Sequence, residues 1–80
     1  MTFPLRVFAI DREIFVGEAE SVTLPSASGQ IQILPNHAQM VSLLTEGDVL
    51  IKSLQGMQKI PIVSGVVEVK SDETIVLVNF

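Results

Sequence analysis

Cysteine, tryptophan and tyrosine are absent from this sequence, and histidine occurs once, at position 37. Without thiols there is no disulfide framework to stand in for a core, so apolar packing must hold the fold. The missing thiol agrees with a reducing compartment without establishing one. One His, no Cys and no Tyr also leave a thin set of groups for acid–base or nucleophilic chemistry. No phosphate-cradling GxxxxGKS/T or GxGxxG loop is present, and no pair of His or Cys stands at metal-ligand spacing. No catalytic, cofactor-binding or metal-binding residue is therefore expected. Positive charge is scarce as well: five Lys and Arg against nine Asp and Glu give a net charge of −4. Such a chain lacks the field that draws phosphate backbones, which excludes nucleic acid as an expected partner. No apolar run approaches the roughly 20 residues needed to span a bilayer, and the start lacks the basic residues and apolar core of a signal peptide. The expectation is a soluble, unprocessed chain with no direct membrane insertion.

What remains is mostly aliphatic. Eighty residues that are 48% hydrophobic and 18% charged suit one small domain with one core. A domain of this size buries only roughly 60–65% of the surface of its unfolded chain, so partners are expected to contribute to its stability. Turn formers recur at short intervals: Pro4, Asp11-Arg12, Gly17, Pro25 to Gly29, Pro35-Asn36, Gly47-Asp48, Gln55-Gly56, Pro61, Gly65 and Ser71-Asp72. Between them apolar residues alternate with period two, as in Leu5, Val7 and Ala9; Val22 and Leu24; Ile31 and Ile33; Val49 and Ile51; Val67 and Val69; Ile75 and Leu77. Strand-plus-turn units of about 8–12 residues along a whole chain signal an antiparallel sandwich or barrel, so the fold class is all-β.

Two segments need more thought. Arg6-Phe8-Ile10 and Thr74-Val76-Val78 put apolar residues on the second face of their strands, so part of the outer surface is expected to be covered. From Asn36 to Glu46 an Asn cap precedes Met40, Val41 and Leu44 at helical spacing. A strand is the preferred reading there, and Val66 to Phe80, interrupted at Ser71-Asp72, reads as a hairpin.

Among candidate functional residues, Leu34-Pro35-Asn36-His37-Ala38 stands out, because Pro and Asn fix a turn immediately before the single His. Such a His most often satisfies backbone groups near a strand end; an acid–base or ligand role is the sharper alternative. A serine triad would need His37, a serine and an acid, and no spacing selects a combination. Ser26-Ala27-Ser28-Gly29-Gln30 is an uncharged loop, either a plain connector or a contact tip. Glu18 and Glu20 share a side if Gly17 to Pro25 is extended, and a solvated strand face explains them better than paired acid–base carboxylates. Ser64-Gly65-Val66-Val67-Glu68-Val69 allows close backbone approach at Gly65 or a β-bulge.

The order of these elements resembles the N-terminal β-sandwich domain of the epsilon subunit of F-type ATP synthases, called delta in mitochondria. The likeness runs through Leu5-Arg6-Val7-Phe8, Phe15-Val16-Gly17-Glu18, Val22, Gly29, Ile33-Leu34-Pro35-Asn36-His37-Ala38, Gly47, Ser64-Gly65-Val66-Val67-Glu68-Val69 and Ile75-Val76-Leu77. It implies a ten-stranded antiparallel sandwich of two five-stranded sheets, and a non-catalytic rotor subunit in the central stalk. That subunit works in a hetero-oligomer with the gamma subunit and the c-subunit ring, coupling ion flow to ATP synthesis. Carried over by position, His37, Ala38, Ser42 and Ser64 lie at the gamma interface, and Ser26, Ala27, Ser28, Gly29 and Gln30 form the loop that touches the c ring. The resemblance further implies a peripheral membrane location on the cytoplasmic face of the bacterial plasma membrane. This sequence departs from the family at Gln39, where Pro often stands, and at Val66, where a second Gly is common. Most members continue into two C-terminal helices that restrain hydrolysis and in some cases bind ATP. The sequence reaches only Phe80, so the resemblance places neither activity in these residues. Composition alone would also allow a free-standing β-sandwich module for peptide or carbohydrate, although four Phe with no Trp or Tyr offer little for sugar stacking.

Overall fold

A computed structural model describes residues 1–80, and nine strands make up its regular structure. They are β1 (Phe3–Ala9), β2 (Arg12–Ala19), β3 (Ser21–Ser26), β4 (Gly29–Ile33), β5 (Met40–Leu44), β6 (Gly47–Ser53), β7 (Gly56–Ile62), β8 (Ser64–Val69) and β9 (Thr74–Asn79). The all-β reading holds, and the segment with helical spacing after Asn36 is the strand β5. No helix is long and apolar enough to cross a membrane.

Hydrogen bonding orders the strands β2-β1-β9-β8-β5-β3-β6-β7, with β4 added to β3. Two layers result. One is β2-β1-β9-β8-β5; the other is β4-β3-β6-β7. They are joined by a single rung, Ser26↔Leu44, reinforced by the Thr45 N–H donating to the Pro25 carbonyl at 3.0 Å. On the far side β2 comes against β6. The layers thus hold five and four strands where ten in all were expected. Between β4 and β5 the chain makes the Pro35-Asn36 turn, with Asn36 at φ 66°, and residues 37–39 enter no ladder.

All pairings are antiparallel except β1 with β9, which run parallel from Leu5↔Thr74 to Phe8↔Leu77. The inner faces supply the core. Leu5, Val7, Val22, Leu24, Ile33, Val49, Ile51, Val67, Val76 and Val78 are all essentially inaccessible, with Ile14, Phe15, Ile31 and Met40 packed against them. In β1, β3, β6 and β8 the period-two pattern assigns the inward residues correctly. In β9 the phase is reversed: Thr74, Val76 and Val78 face in, while Ile75 and Leu77 face out. Both alternating sets are apolar enough to serve, and the pairing Val7↔Val76↔Val67 decides which one is used.

Several expected breaks are inside strands. Pro4, Pro25, Pro61, Gly17 and Gly65 lie within β1, β3, β7, β2 and β8. Pro61 is tolerated because β7 ends the layer, where one row of N–H groups needs no partner. Gly65 is the close-approach case: it pairs without interruption to both Leu44 and Val78. A Cβ there would lie 2.5 Å from the Leu77 carbonyl oxygen and 3.3 Å from Leu44 Cδ1. The fold's β-bulge is elsewhere, between β1 and β2, where Ile14 is the extra residue between Val7↔Phe15 and Phe8↔Glu13.

Gly65→Ala tests this close approach. The obstructing atom belongs to backbone held in a ladder, so the strands must shift, and the variant should lose about 1–3 kcal/mol in urea denaturation. Wild-type stability in that variant would mean that β8 and β9 are free to part.

Candidate functional site

Two surfaces carry the residues that the sequence marks. The outer face of β5-β8-β9-β1 is the larger. Partners in a rung point to the same side of a sheet, so the register defines rows across the strands. One row is Leu43–Val66–Leu77–Phe8, built from Leu43↔Val66, Val66↔Leu77 and Phe8↔Leu77. Four neighbouring strands hold it, over roughly 14 Å at the usual strand spacing. Leu43 is 71% exposed and Leu77 36%, with Val66 and Phe8 half-buried. A shallow groove of about 410 Å³ beside the row is lined by Leu43, Val66, Leu77, Ser64 and Asn79.

Polar groups border the row. At one side the Asn79 Nδ2 donates to Ser64 Oγ at 2.9 Å. At the other lies the row Val41–Glu68–Ile75–Arg6, mixed in character, with the Arg6 guanidinium 5.7 Å from the Phe8 ring centroid. An apolar centre with a polar margin is the build of a protein interface. Val41 and Leu43, 67% and 71% exposed, are strand residues that no part of this chain covers.

His37 and Ala38 sit at one end of this layer, just before Met40, whose rung continues to Val69 and Thr74. Ser64 lies at the opposite end, next to the rung Leu44↔Gly65↔Val78. The four residues at which the resemblance places the gamma contact are therefore not clustered. Ser42 departs furthest: it pairs with buried Val67, so its side chain turns towards the inner side, away from Leu43 and Ser64. Reading by position missed Leu43 and Leu77, the two exposed members of the row. The available signal was Met40-Val41-Ser42-Leu43-Leu44, apolar on both faces of a strand.

His37 is held by its turn. Its N–H donates to the Leu34 carbonyl at 3.2 Å, and Nδ1 is 2.7 Å from the Ala38 carbonyl. A carbonyl only accepts, so Nδ1 is the donor in this contact. The ring borders a polar cleft of about 160 Å³ shared with Thr2, Asn36, Lys70 and Asp72. No serine hydroxyl bonds to it, and no three His, Asp or Glu side chains converge on a metal position. Glu18 accepts from Thr2 Oγ1 at 2.9 Å, Glu20 lies past the end of β2 with its N–H on the Lys52 carbonyl, and no hydrogen bond joins the two carboxyl groups.

The second surface is the tip of the β3–β4 hairpin. Ala27 and Ser28 make the turn, and Gly29 takes φ 118° to close it. Ser26 is buried; its hydroxyl donates to the Gly29 carbonyl and meets Ser28 Oγ at 3.2 Å. Ser26 thus locks the turn from inside, while Ala27, Ser28, Gly29 and Gln30 are exposed. The phenylalanines offer no flat stacking platform: Phe3 is buried, Phe8 and Phe15 are half-buried, and the Arg12 guanidinium stands over Phe80 at 4.8 Å.

Known proteins share this architecture. Residues 2–80 match the family model described as the ATP synthase, Delta/Epsilon chain, beta-sandwich domain. An ATP synthase epsilon chain of Synechococcus sp. (strain CC9311) is 40% identical over 79 residues, and one of Prochlorococcus marinus (strain MIT 9211) is 42% identical. Each alignment takes in 99% of this chain, which spans 58% of the length of either relative. Among solved structures, a chain of the Euglena gracilis mitochondrial ATP synthase (OSCP/F1/c-ring) superposes with a TM-score of 0.88 at 18% identity, covering 96% of this chain and 50% of that one. A chain of the Tetrahymena thermophila mitochondrial ATP synthase central stalk/c-ring superposes at 0.86 and 13% identity, covering 100% of this chain and 65% of that one. At such identities the superpositions speak for the fold alone. The match over nearly every residue makes this chain a member of the ATP synthase delta/epsilon family, through its beta-sandwich domain.

Proposed function

We propose that this domain is a non-catalytic rotor component of an F-type ATP synthase, seated in the central stalk between a gamma subunit and the ring of c subunits. The observation that carries the proposal is the exposed row Leu43–Val66–Leu77–Phe8 with its polar margin. A rotor part must pass torque without slipping, which calls for a broad, complementary contact on a stiff support. A four-strand face provides that stiffness better than any loop. The gamma subunit takes this face, with His37 and Ala38 at one margin and Ser64 at the other. Ser42 supports the face from its inner side. The exposed part of the Ser26–Gln30 hairpin tip meets the polar loops of the c ring. That tip is at the same end of the molecule as Ser64 and Asn79, through the rungs Ser26↔Leu44↔Gly65↔Val78. The family membership and the identity of the relatives as ATP synthase epsilon chains support this assignment. It places the chain in a hetero-oligomer at the membrane surface, on the cytoplasmic side of a bacterial plasma membrane, coupling ion flow to ATP synthesis without chemistry of its own.

Titration calorimetry of this chain with the gamma subunit of its own organism tests the proposal, and submicromolar affinity is expected. Leu43→Asp together with Leu77→Asp should weaken binding at least about 100-fold, a loss of ~2.7 kcal/mol, while the isolated domain stays folded. Tight binding by that double variant would place the gamma contact on another face.

His37→Ala should lower gamma affinity by about tenfold, which is ~1.4 kcal/mol, and change the domain's own stability by less than half of that. Equal losses in both assays would assign His37 to its turn alone.

The chain has no cysteine, so Ala27→Cys introduces a single reporter. Under mild oxidation in the assembled enzyme it should form a disulfide with a cysteine placed in the polar loop of the c subunit, since Cα atoms within about 7 Å can be bridged. A cysteine at Gln58, on the opposite margin strand β7, should not.

A further inference from the structure

The strand β4 is a margin of its layer, pairing with β3 and with no other strand. Pro25 reveals which of its backbone groups are free. Pro25 has no N–H, and its carbonyl accepts from the Thr45 N–H, on the side of β3 away from β4. Along an antiparallel strand the N–H and C=O of one residue point to the same side, and the side alternates from residue to residue. Leu24 and Ser26 therefore turn towards β4, and Thr23 and Pro25 away from it. The register Leu24↔Ile31, Pro25↔Gln30 and Ser26↔Gly29 carries this across the rungs. Gly29, Ile31 and Ile33 bond to β3, while the N–H and C=O groups of Gln30 and Gln32 point outward without ladder partners.

Other strand margins are guarded against pairing. The outer strand β2 carries Arg12, Glu13 and Glu18, and β7 carries Lys59 and Pro61. The strand β4, Gly-Gln-Ile-Gln-Ile, has neither charge nor proline. Around Ile31 its sequence is also symmetric, with Gln on each side. Laid antiparallel on a second β4 with Ile31 opposite Ile31, it places Gln30 opposite Gln32 of the other copy, and Gln32 opposite Gln30. Those are the two residues whose backbone groups are free. Each rung then exchanges a pair of N–H···O=C bonds, and every outward group finds a partner. The exposed Gln30 and Gln32 side chains meet across the same rungs as amide donor and acceptor. Two copies that each carry −4 repel one another, and an uncharged margin is where they approach at least cost.

We infer that β4 is a self-pairing edge, through which a second copy of this chain adds antiparallel and in register at Ile31 to form a two-fold dimer. A ladder this short buries far less than the ~1,200 Å² of stable complexes, so the dimer is weak and forms by mass action. Gln30 also belongs to the proposed ring-facing tip, so pairing is a property of free chains and excludes ring docking. It does not depend on the gamma contact.

Amide hydrogen exchange by NMR, with sedimentation equilibrium, tests the inference on the whole chain. Between ~10 µM and ~1 mM the Gln30 and Gln32 amides should slow at least about tenfold as the mass moves towards twice that of the monomer, while the β3-bonded Ile31 amide stays unchanged. The double variant Gln30→Lys with Gln32→Lys sets like charges against each other in both rungs and should abolish the dimer. Gln30→Lys with Gln32→Glu sets opposite charges in both rungs and should restore it at low salt. A monomer at ~1 mM would overturn the inference, as would a dimer indifferent to both variants. Protection of Gln30 and Gln32 that arises only when c subunits are added would give the edge to a partner strand instead, and would overturn it equally.

Discussion

The strand β3 bonds to three others, and the two layers share no ladder except through it. One side is occupied by β4 along its whole length. The other is divided, with Ser21–Thr23 on β6 and Ser26 on β5. That division is possible because β3 passes from one layer to the other at its end, where Pro25 has no N–H to satisfy and offers only a carbonyl to Thr45. Ser26 then closes the arrangement with a buried hydroxyl on the Gly29 carbonyl. The core, the outer face of β5-β8-β9-β1 and the hairpin tip all keep their relative positions through this junction.

Very little of the stability is electrostatic. The single ion pair, Asp11 with Arg12 at 3.4 Å, joins adjacent exposed residues and adds almost nothing. No buried side-chain polar atom lacks a partner, and the core is aliphatic apart from Phe3, with Phe15 packed against it. Burial of Val, Ile and Leu in two layers holds the domain, as the lack of cysteine requires. The surface is then free to carry its charges thinly, which leaves room for an apolar row on the outside.

Fold class, the strand nature of β5 and the inward residues of β1, β3, β6 and β8 were legible in the sequence, because in those four strands one phase is consistently apolar while the other mixes apolar residues such as Phe8, Leu50 and Val66 with polar ones. In β9 the residues Ile75 and Leu77 compete with Val76 and Val78, and only neighbouring strands break the tie. Pro4, Pro25, Pro61, Gly17 and Gly65 looked like turns because strands avoid them on average, yet all five lie in strands: Pro61 stands on a margin strand, Pro25 has no N–H to satisfy where β3 leaves its layer, and a side chain would not fit at Gly65. The site was half legible. Positions carried over by resemblance include His37, Ala38 and Ser64 near the outer face, but position does not encode which way Ser42 turns. Leu43 and Leu77 stayed hidden because each looked like ordinary core.

The parallel pairing of β1 with β9 sets an order for folding during synthesis. The first and the last strands of the chain, β1 and β9, are separated by most of the sequence, yet β9 lies between β1 and β8 in the interior of the five-strand layer. Until residue 79 has left the ribosome, β1 lacks one neighbour and β8 has an open flank. The hairpins β3–β4 and β6–β7 need only local contacts and are complete much sooner. The layer that bears the exposed apolar row is consequently the later one to close, and nascent chains spend that interval with Val7, Val67 and their unpaired edges open to chaperones or to one another.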